Sequence, residues 1–163
     1  VGERGERRLL CGKVRSGVAP GRRNFGEPTV EQRGGVAVTV EPHVHGLVES
    51  VDMAAEMVAR VPGLKLTLDL AHFVSMGYRQ DEIETLAPHA GHVHLRQATQ
   101  GKLQVKLEEG TINFPSLLGA LRDAGYDGWL SIEYVHQAYM NTLYDDVLSE
   151  TVKMRNLVRG WLA

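Results

Sequence analysis

The sequence predicts an α/β fold built on a parallel sheet, and three observations carry that reading. Short apolar runs of strand length begin after Gly35 and alternate with amphipathic stretches at helical spacing. A proline, glycine or polar turn separates one segment from the next. Four successive runs end in an ionisable residue.

Val36 to Val40 is apolar and β-branched and runs into Glu41-Pro42, where proline removes a ladder donor and leaves Glu41 at the C-terminal end of the strand. Ser50 suits the N-cap of a helix whose Met53, Ala54, Met57 and Val58 recur at helical spacing before Pro62-Gly63 stops it. Leu64, Leu66 and Leu68 then alternate with Lys65 and Thr67 in a second strand that ends in Asp69, followed by Leu70-Ala71-His72. A short helix comes next, with Asp81 as its cap, Ile83 and Leu86 as its buried positions and Pro88 as its stop. The third strand, Gly91 to Leu95, carries His92 and His94 at period two, so both imidazoles face one side of the sheet.

The segment Arg96 to Asn113 exceeds the roughly two to six residues usual for a βα connection, and long loops at this position serve sites. Phe114, Leu117, Leu118 and Leu121 form the next helical stripe, with Pro115 in the first turn and Gly125 at the C-terminal cap. The fourth strand, Trp129 to Ile132, ends in Glu133 and leads into a polar and aromatic segment, Tyr134 to Tyr144. In the last helix Leu143, Val147, Leu148, Val152, Leu157, Val158 and Trp161 keep helical spacing, which predicts that it covers the outer face of the strands.

Composition narrows the classes. The chain has 163 residues, 18 basic and 20 acidic, with one cysteine. Cys11 alone forms no internal disulfide, supplies no multi-cysteine zinc module and has no neighbouring histidine to activate it. No apolar run approaches the roughly 18 residues of a membrane span, so the expectation is a soluble, cytoplasmic protein without membrane contact. Residues 1–30 hold seven Lys/Arg and three Glu, whereas the remainder is acidic. Residues 1–33 are therefore expected to be a poorly ordered basic segment ahead of a folded unit at 34–163. A nucleic-acid arm would want stacking aromatics, and the basic stretch offers only Phe25, so no nucleic-acid partner is expected.

Glu41, Asp69, His94 and Glu133 end four successive strands, where parallel α/β folds place ligands. One such residue alone is as well explained as a helix cap or a solvated turn. Three carboxylates around one imidazole repel one another, and a bound divalent cation is the usual compensation. Three oxygen donors and one nitrogen favour Mn²⁺, Mg²⁺ or Co²⁺, with Zn²⁺ less typical of a set lacking thiolates. Octahedral coordination would leave two positions for the adjacent oxygens of an α-hydroxy carbonyl, where the ion polarises the carbonyl and stabilises an enediolate. The expected partner is then a sugar or polyol.

Other residues carry both a functional and a plain reading. His43 and His45 lie just beyond Glu41, and His43 is the better candidate for substrate contact, although loop histidines more often bond backbone or solvent. His92 reads as a buried, satisfied histidine. Arg96 matches a phosphate or carboxylate on a substrate as well as it matches a surface ion pair. Tyr134, Gln137, Tyr139 and Tyr144 either frame the pocket or simply pack, and Lys102, Lys106, Glu108 and Glu109 read as a solvated loop surface.

Thr67-Leu68-Asp69-Leu70-Ala71-His72, His92-Val93-His94-Leu95, Gly110-Thr111-Ile112-Asn113-Phe114 and the run Gly125 to Tyr134 together resemble the xylose-isomerase-like sugar phosphate isomerase/epimerase family. The resemblance covers about residues 34 to 160 and implies a (β/α)₈ TIM barrel whose strands five to eight supply a Glu, Asp, His, Glu metal set, matched here by Glu41, Asp69, His94 and Glu133. It further implies that Glu41 and Glu133 shuttle a proton, one on each face of the substrate, and that His72 bonds a substrate oxygen. A whole barrel takes about 250 residues, so this chain has room for only about four of the eight units and reads as a C-terminal half. Its open edges call for self-association or a missing N-terminal half barrel. The implied activity is divalent-metal-dependent isomerisation or epimerisation of a sugar or sugar phosphate. A dehydratase or lyase of the inosose or dehydroshikimate type, and a non-catalytic half barrel, stand as alternatives. Apurinic-site endonucleases share the barrel, but beyond His43, His45 and His136 there is little here to build further metal sites. Arg96-Gln97-Ala98 after His94 departs from the acidic residue usual at that point in the epimerases.

Overall fold

The computed structural model describes residues 37–142 and 146–162. The expected basic segment 1–33, with Cys11, lies outside them, as does Tyr144. Four strands, β1 (Thr39–Val40), β2 (Lys65–Asp69), β3 (Ala90–Leu95) and β4 (Leu130–Ile132), form one sheet in sequence order with every neighbouring pair parallel. Helices alternate with them: α1 (Val51–Arg60) after β1, α2 (Leu70–Ser75) and α3 (Gln80–Glu84) after β2, α4 (Phe114–Asp123) after β3 and α5 (Val147–Leu162) after β4. The molecule is thus α/β with a parallel sheet, and the four strands of the described residues make a partial barrel with β1 and β4 at its edges.

The strands work by parity. Leu66, Leu68, Val93 and Leu95 alternate with polar residues and are at most 1% exposed, buried in a core that includes Phe73, Ile83, Leu117, Met154 and Val158 of the helices. The intervening positions are polar: Thr39 and Thr67 share a hydrogen bond of 2.7 Å, and His92 meets His94 edge to face at 5.1 Å between ring centroids. Backbones approach closely at the start of β3, where a Cβ on Gly91 would lie 2.6 Å from Lys65 Cβ, so glycine is required there. No helix among the described residues is long and apolar enough to cross a membrane.

Three local expectations are corrected. Helix α2 starts directly on Asp69, whose Oδ1 accepts from Ala71 N at 2.9 Å, where no helix was expected. Helix α3 is entered through Arg79 rather than Asp81; Glu82 Oε2 accepts from Arg79 N at 3.0 Å, and Asp81 sits in the first turn as the ion-pair partner of Arg79. The stripe on α5 is only partly covered: Val158 is fully buried, as is Met154 outside the stripe, while Leu148, Leu157 and Trp161 remain 72%, 43% and 38% exposed.

The segment after β3 is a packed structure. Gln97 closes it from within, its Nε2 donating to Ile112 O at 2.9 Å and its Oε1 accepting from Ile112 N at 3.1 Å. Gln104 makes the same two-sided clasp with Val135, at 2.8 and 2.9 Å. Two buried amides thus satisfy backbone groups that strand pairing leaves free. Lys102, Lys106, Glu108 and Glu109 point outward, as expected.

Candidate metal centre

Each parallel strand ends at the same rim of the sheet, and the residue at each tip emerges there. Glu41 follows β1 and is stopped from continuing the ladder by Pro42. Asp69 ends β2, His94 lies one residue from the end of β3, and Glu133 follows β4, its N–H donating to Leu95 O at 3.0 Å. One donor atom from each of Glu41, Asp69, His94 and Glu133 lies within 4.8 Å of all the others. The structure therefore brings together all four residues singled out from their strand-end positions.

The geometry is tight. His94 Nδ1 donates to Glu41 Oε1 at 2.9 Å and lies 3.0 Å from Glu133 Oε2. Arg96 turns back into the cluster: its Nη2 donates to Asp69 Oδ2 at 2.6 Å and lies 3.2 Å from Glu133 Oε2 and 3.0 Å from His72 Nε2. Asp69 is divided between two tasks, with Oδ1 capping α2 and Oδ2 in the cluster. Burial divides the set as well. The side chains of Asp69, His72 and Arg96 are 1%, 0% and 4% exposed, against 29% for Glu41, 31% for Glu133 and 18% for His94.

Electrostatics follow from this crowding. Burial would depress His94, yet the adjoining Glu133 and Glu41 carboxylates override it and lift its pKa to about 10. Burial holds His72 neutral, helped by the Arg96 guanidinium, and drives its pKa down to about 2. Burial also raises Asp69, against the opposing pull of Arg96. Glu133 ends below the usual carboxylate range because His94 and Arg96 outweigh its desolvation.

The donor set fits a divalent cation. Three carboxylates against one guanidinium leave two negative charges uncompensated when His94 is neutral, the charge one divalent ion supplies. Glu133 Oε2 is buried and accepts no well-aligned hydrogen bond despite its two close nitrogens, an orphaned acceptor aimed into the cluster.

The His43 ring stacks obliquely on His72 at 4.0 Å between centroids while its Nδ1 donates to Val44 O at 2.6 Å. His45 is exposed and outside the cluster, with its backbone N–H bonded to Glu49. His92 is half-buried and outside the donor set. Tyr134 is buried and its hydroxyl accepts from Gln97 N at 3.3 Å, whereas Tyr139 is 78% exposed. The inward course of Arg96 was only half legible. Its parity with His92 and His94, four and two residues earlier, is the signal that points it to the inner face.

A family model described as xylose isomerase-like TIM barrel matches residues 27–153. The chain belongs to this family. A curated Xenopus laevis protein named "putative hydroxypyruvate isomerase" is 36% identical over 77 residues, covering 47% of this chain and 27% of that protein. Among solved structures, a xylose isomerase-like TIM barrel protein from Mycobacterium smegmatis in complex with magnesium superposes with a TM-score of 0.58 at 14% identity, covering 79% of this chain and 46% of that one. D-allulose 3-epimerase from Methylomonas sp. gives 0.57 at 17% identity, covering 78% and 49%. The chain thus spans about a quarter of the curated relative and just under half of these barrels.

Proposed function

We propose that the chain carries the cation-binding half of a divalent-metal-dependent isomerase or epimerase acting on a sugar, sugar phosphate or small hydroxy-carbonyl compound. The observation that carries this reading is the convergence of Glu41, Asp69, His94 and Glu133 donors within 4.8 Å at one rim of the sheet. The curated relative named "putative hydroxypyruvate isomerase" agrees with this reading.

In this reading Glu41, Asp69, His94 and Glu133 hold the ion, with Mn²⁺, Mg²⁺ or Co²⁺ the best matches to three oxygens and one nitrogen. When bound, such an ion supplies Lewis-acid polarisation of a carbonyl and stabilises charge developing on its oxygen. Glu41 and Glu133 are the proton carriers. They are the accessible carboxylates, on opposite edge strands, so one removes a proton from the carbon beside the carbonyl and the other returns one. Asp69 is sealed from solvent and locked to α2 and Arg96, which suits it to holding and not to proton transfer. His43, whose ring lies against that of His72, is assigned to substrate contact. His72 and Arg96 lie behind the donors, and their contact with a substrate oxygen would come through the inner edge of the cluster.

The test is exchange of substrate hydrogen with solvent. With Mn²⁺ present, in D₂O, the chain should incorporate deuterium at the carbon next to the carbonyl of hydroxypyruvate or a ketohexose, and Glu133→Gln should lower the rate at least 100-fold. Loss of water instead of exchange would indicate the dehydratase reading. Cation binding without either reaction would favour a second reading, which the four-stranded sheet itself supports: the site is assembled here, but the pocket walls come from a further half barrel.

A further inference from the structure

Arg96 is the unusual member of the cluster. Its side chain is 4% exposed, and a single nitrogen, Nη2, does the contacting: 2.6 Å from Asp69 Oδ2, 3.0 Å from His72 Nε2 and 3.2 Å from Glu133 Oε2. Arginine ordinarily grips a carboxylate with two nitrogens side by side. Here only Nη2 reaches Asp69, and the Nε of the same group is buried without a partner. One point of positive charge is thus centred among two carboxylate oxygens and an imidazole nitrogen, the donor types that ligate divalent transition ions.

We propose that Arg96 Nη2 fills a second cation position, formed by Asp69 Oδ2, His72 Nε2 and Glu133 Oε2, and so restricts the centre to one divalent ion. The inference rests on the proposed function, because it takes Glu41, Asp69, His94 and Glu133 as the first ion's donors. Two physical effects support it. A nitrogen already set among these three atoms leaves no space for an ion that would bind all three together at roughly 2.0–2.2 Å. With the guanidinium present, one divalent ion balances the three carboxylates; without it, a second ion is drawn by the charge left over. Arginine keeps its proton under all protein conditions, so the position stays closed where a histidine would open and shut.

The experiment counts ions. Zn²⁺ is titrated by calorimetry into the 163-residue chain, and retained metal is measured after desalting, for the wild type, Arg96→Lys, Arg96→Met and Arg96→Met/His72→Ala. The expected stoichiometries are one, one, two and one. Arg96→Gln, which keeps a donor toward Asp69 without the charge, replaces Arg96→Met if the latter fails to fold. One ion in the uncharged Arg96 variants overturns the inference and leaves the cation centre standing, and two ions in the wild type do the same without any variant. No ion in the wild type removes the cation centre and the inference together.

Discussion

The two middle strands and the two edge strands of the sheet are built to different standards. β2 and β3 run five and six residues, keep their leucines and valine sealed, and deliver Asp69, and Arg96 just beyond β3, as side chains closed to water. β1 and β4 run two and three residues, are half-buried throughout and deliver Glu41 and Glu133, each about one-third open. The difference separates holding from reacting. A buried carboxylate fixed by a helix cap and a guanidinium cannot leave its place, whereas an accessible carboxylate on a short edge strand can exchange protons with what enters the rim.

Substitutions should expose this division. The largest effect is expected at Asp69: Asp69→Asn removes the shorter and fully buried of the two ion pairs of Arg96 and should cost about 3–5 kcal/mol in urea unfolding, while Glu41→Gln should cost less than about 1 kcal/mol. Equal costs would erase the distinction. Next, Leu68→Ala in the sealed β2 should lose about 2–5 kcal/mol, and Leu130→Ala in β4, where the side chain is half-buried, should lose less.

Cation binding sharpens the comparison from the other side. Mn²⁺ at 100 times its dissociation constant should add about 2.7 kcal/mol of stability to the wild type, a gain removed by chelator and reduced in Glu133→Gln, even though that variant keeps nearly the wild-type stability without the ion. The smallest effect belongs to a position remote from the rim: Asn113 Oδ1 accepts from Ser116 N at 3.2 Å as the cap of α4, and Asn113→Ala should cost about 1 kcal/mol with no change in cation binding.

Much of this architecture is readable from the chain because strand parity and strand ends are local features. Alternation of leucine with polar residues located β2, and four ionisable residues in phase located the rim. What escaped was α2, where Leu70, Ala71, His72, Phe73 and Val74 are all buried, so no polar face exists to give the segment a helical period. The caps were misjudged for a related reason. Asp69 reads as a strand end and Asp81 as a helix start, yet Asp69 caps α2 while Arg79 stands at the N-cap of α3 and Asp81 is its exposed partner. The paired clasps of Gln97 and Gln104 are long-range and leave no pattern in sequence. Nor does the apolar groove between α4 and α5, lined by Leu118, Leu121, Trp161 and Leu162, announce itself; it lies apart from the rim and holds none of the donors.

The central claim is that four strand-end side chains surround one cation, and the imidazole makes it directly testable. Pulsed electron paramagnetic resonance on Mn²⁺ bound to the chain should show one directly coordinated histidine nitrogen in the wild type and none in His94→Gln, with calorimetry confirming that the ion binds in the wild type. Absence of bound Mn²⁺, or a histidine nitrogen signal that survives in His94→Gln, would contradict it.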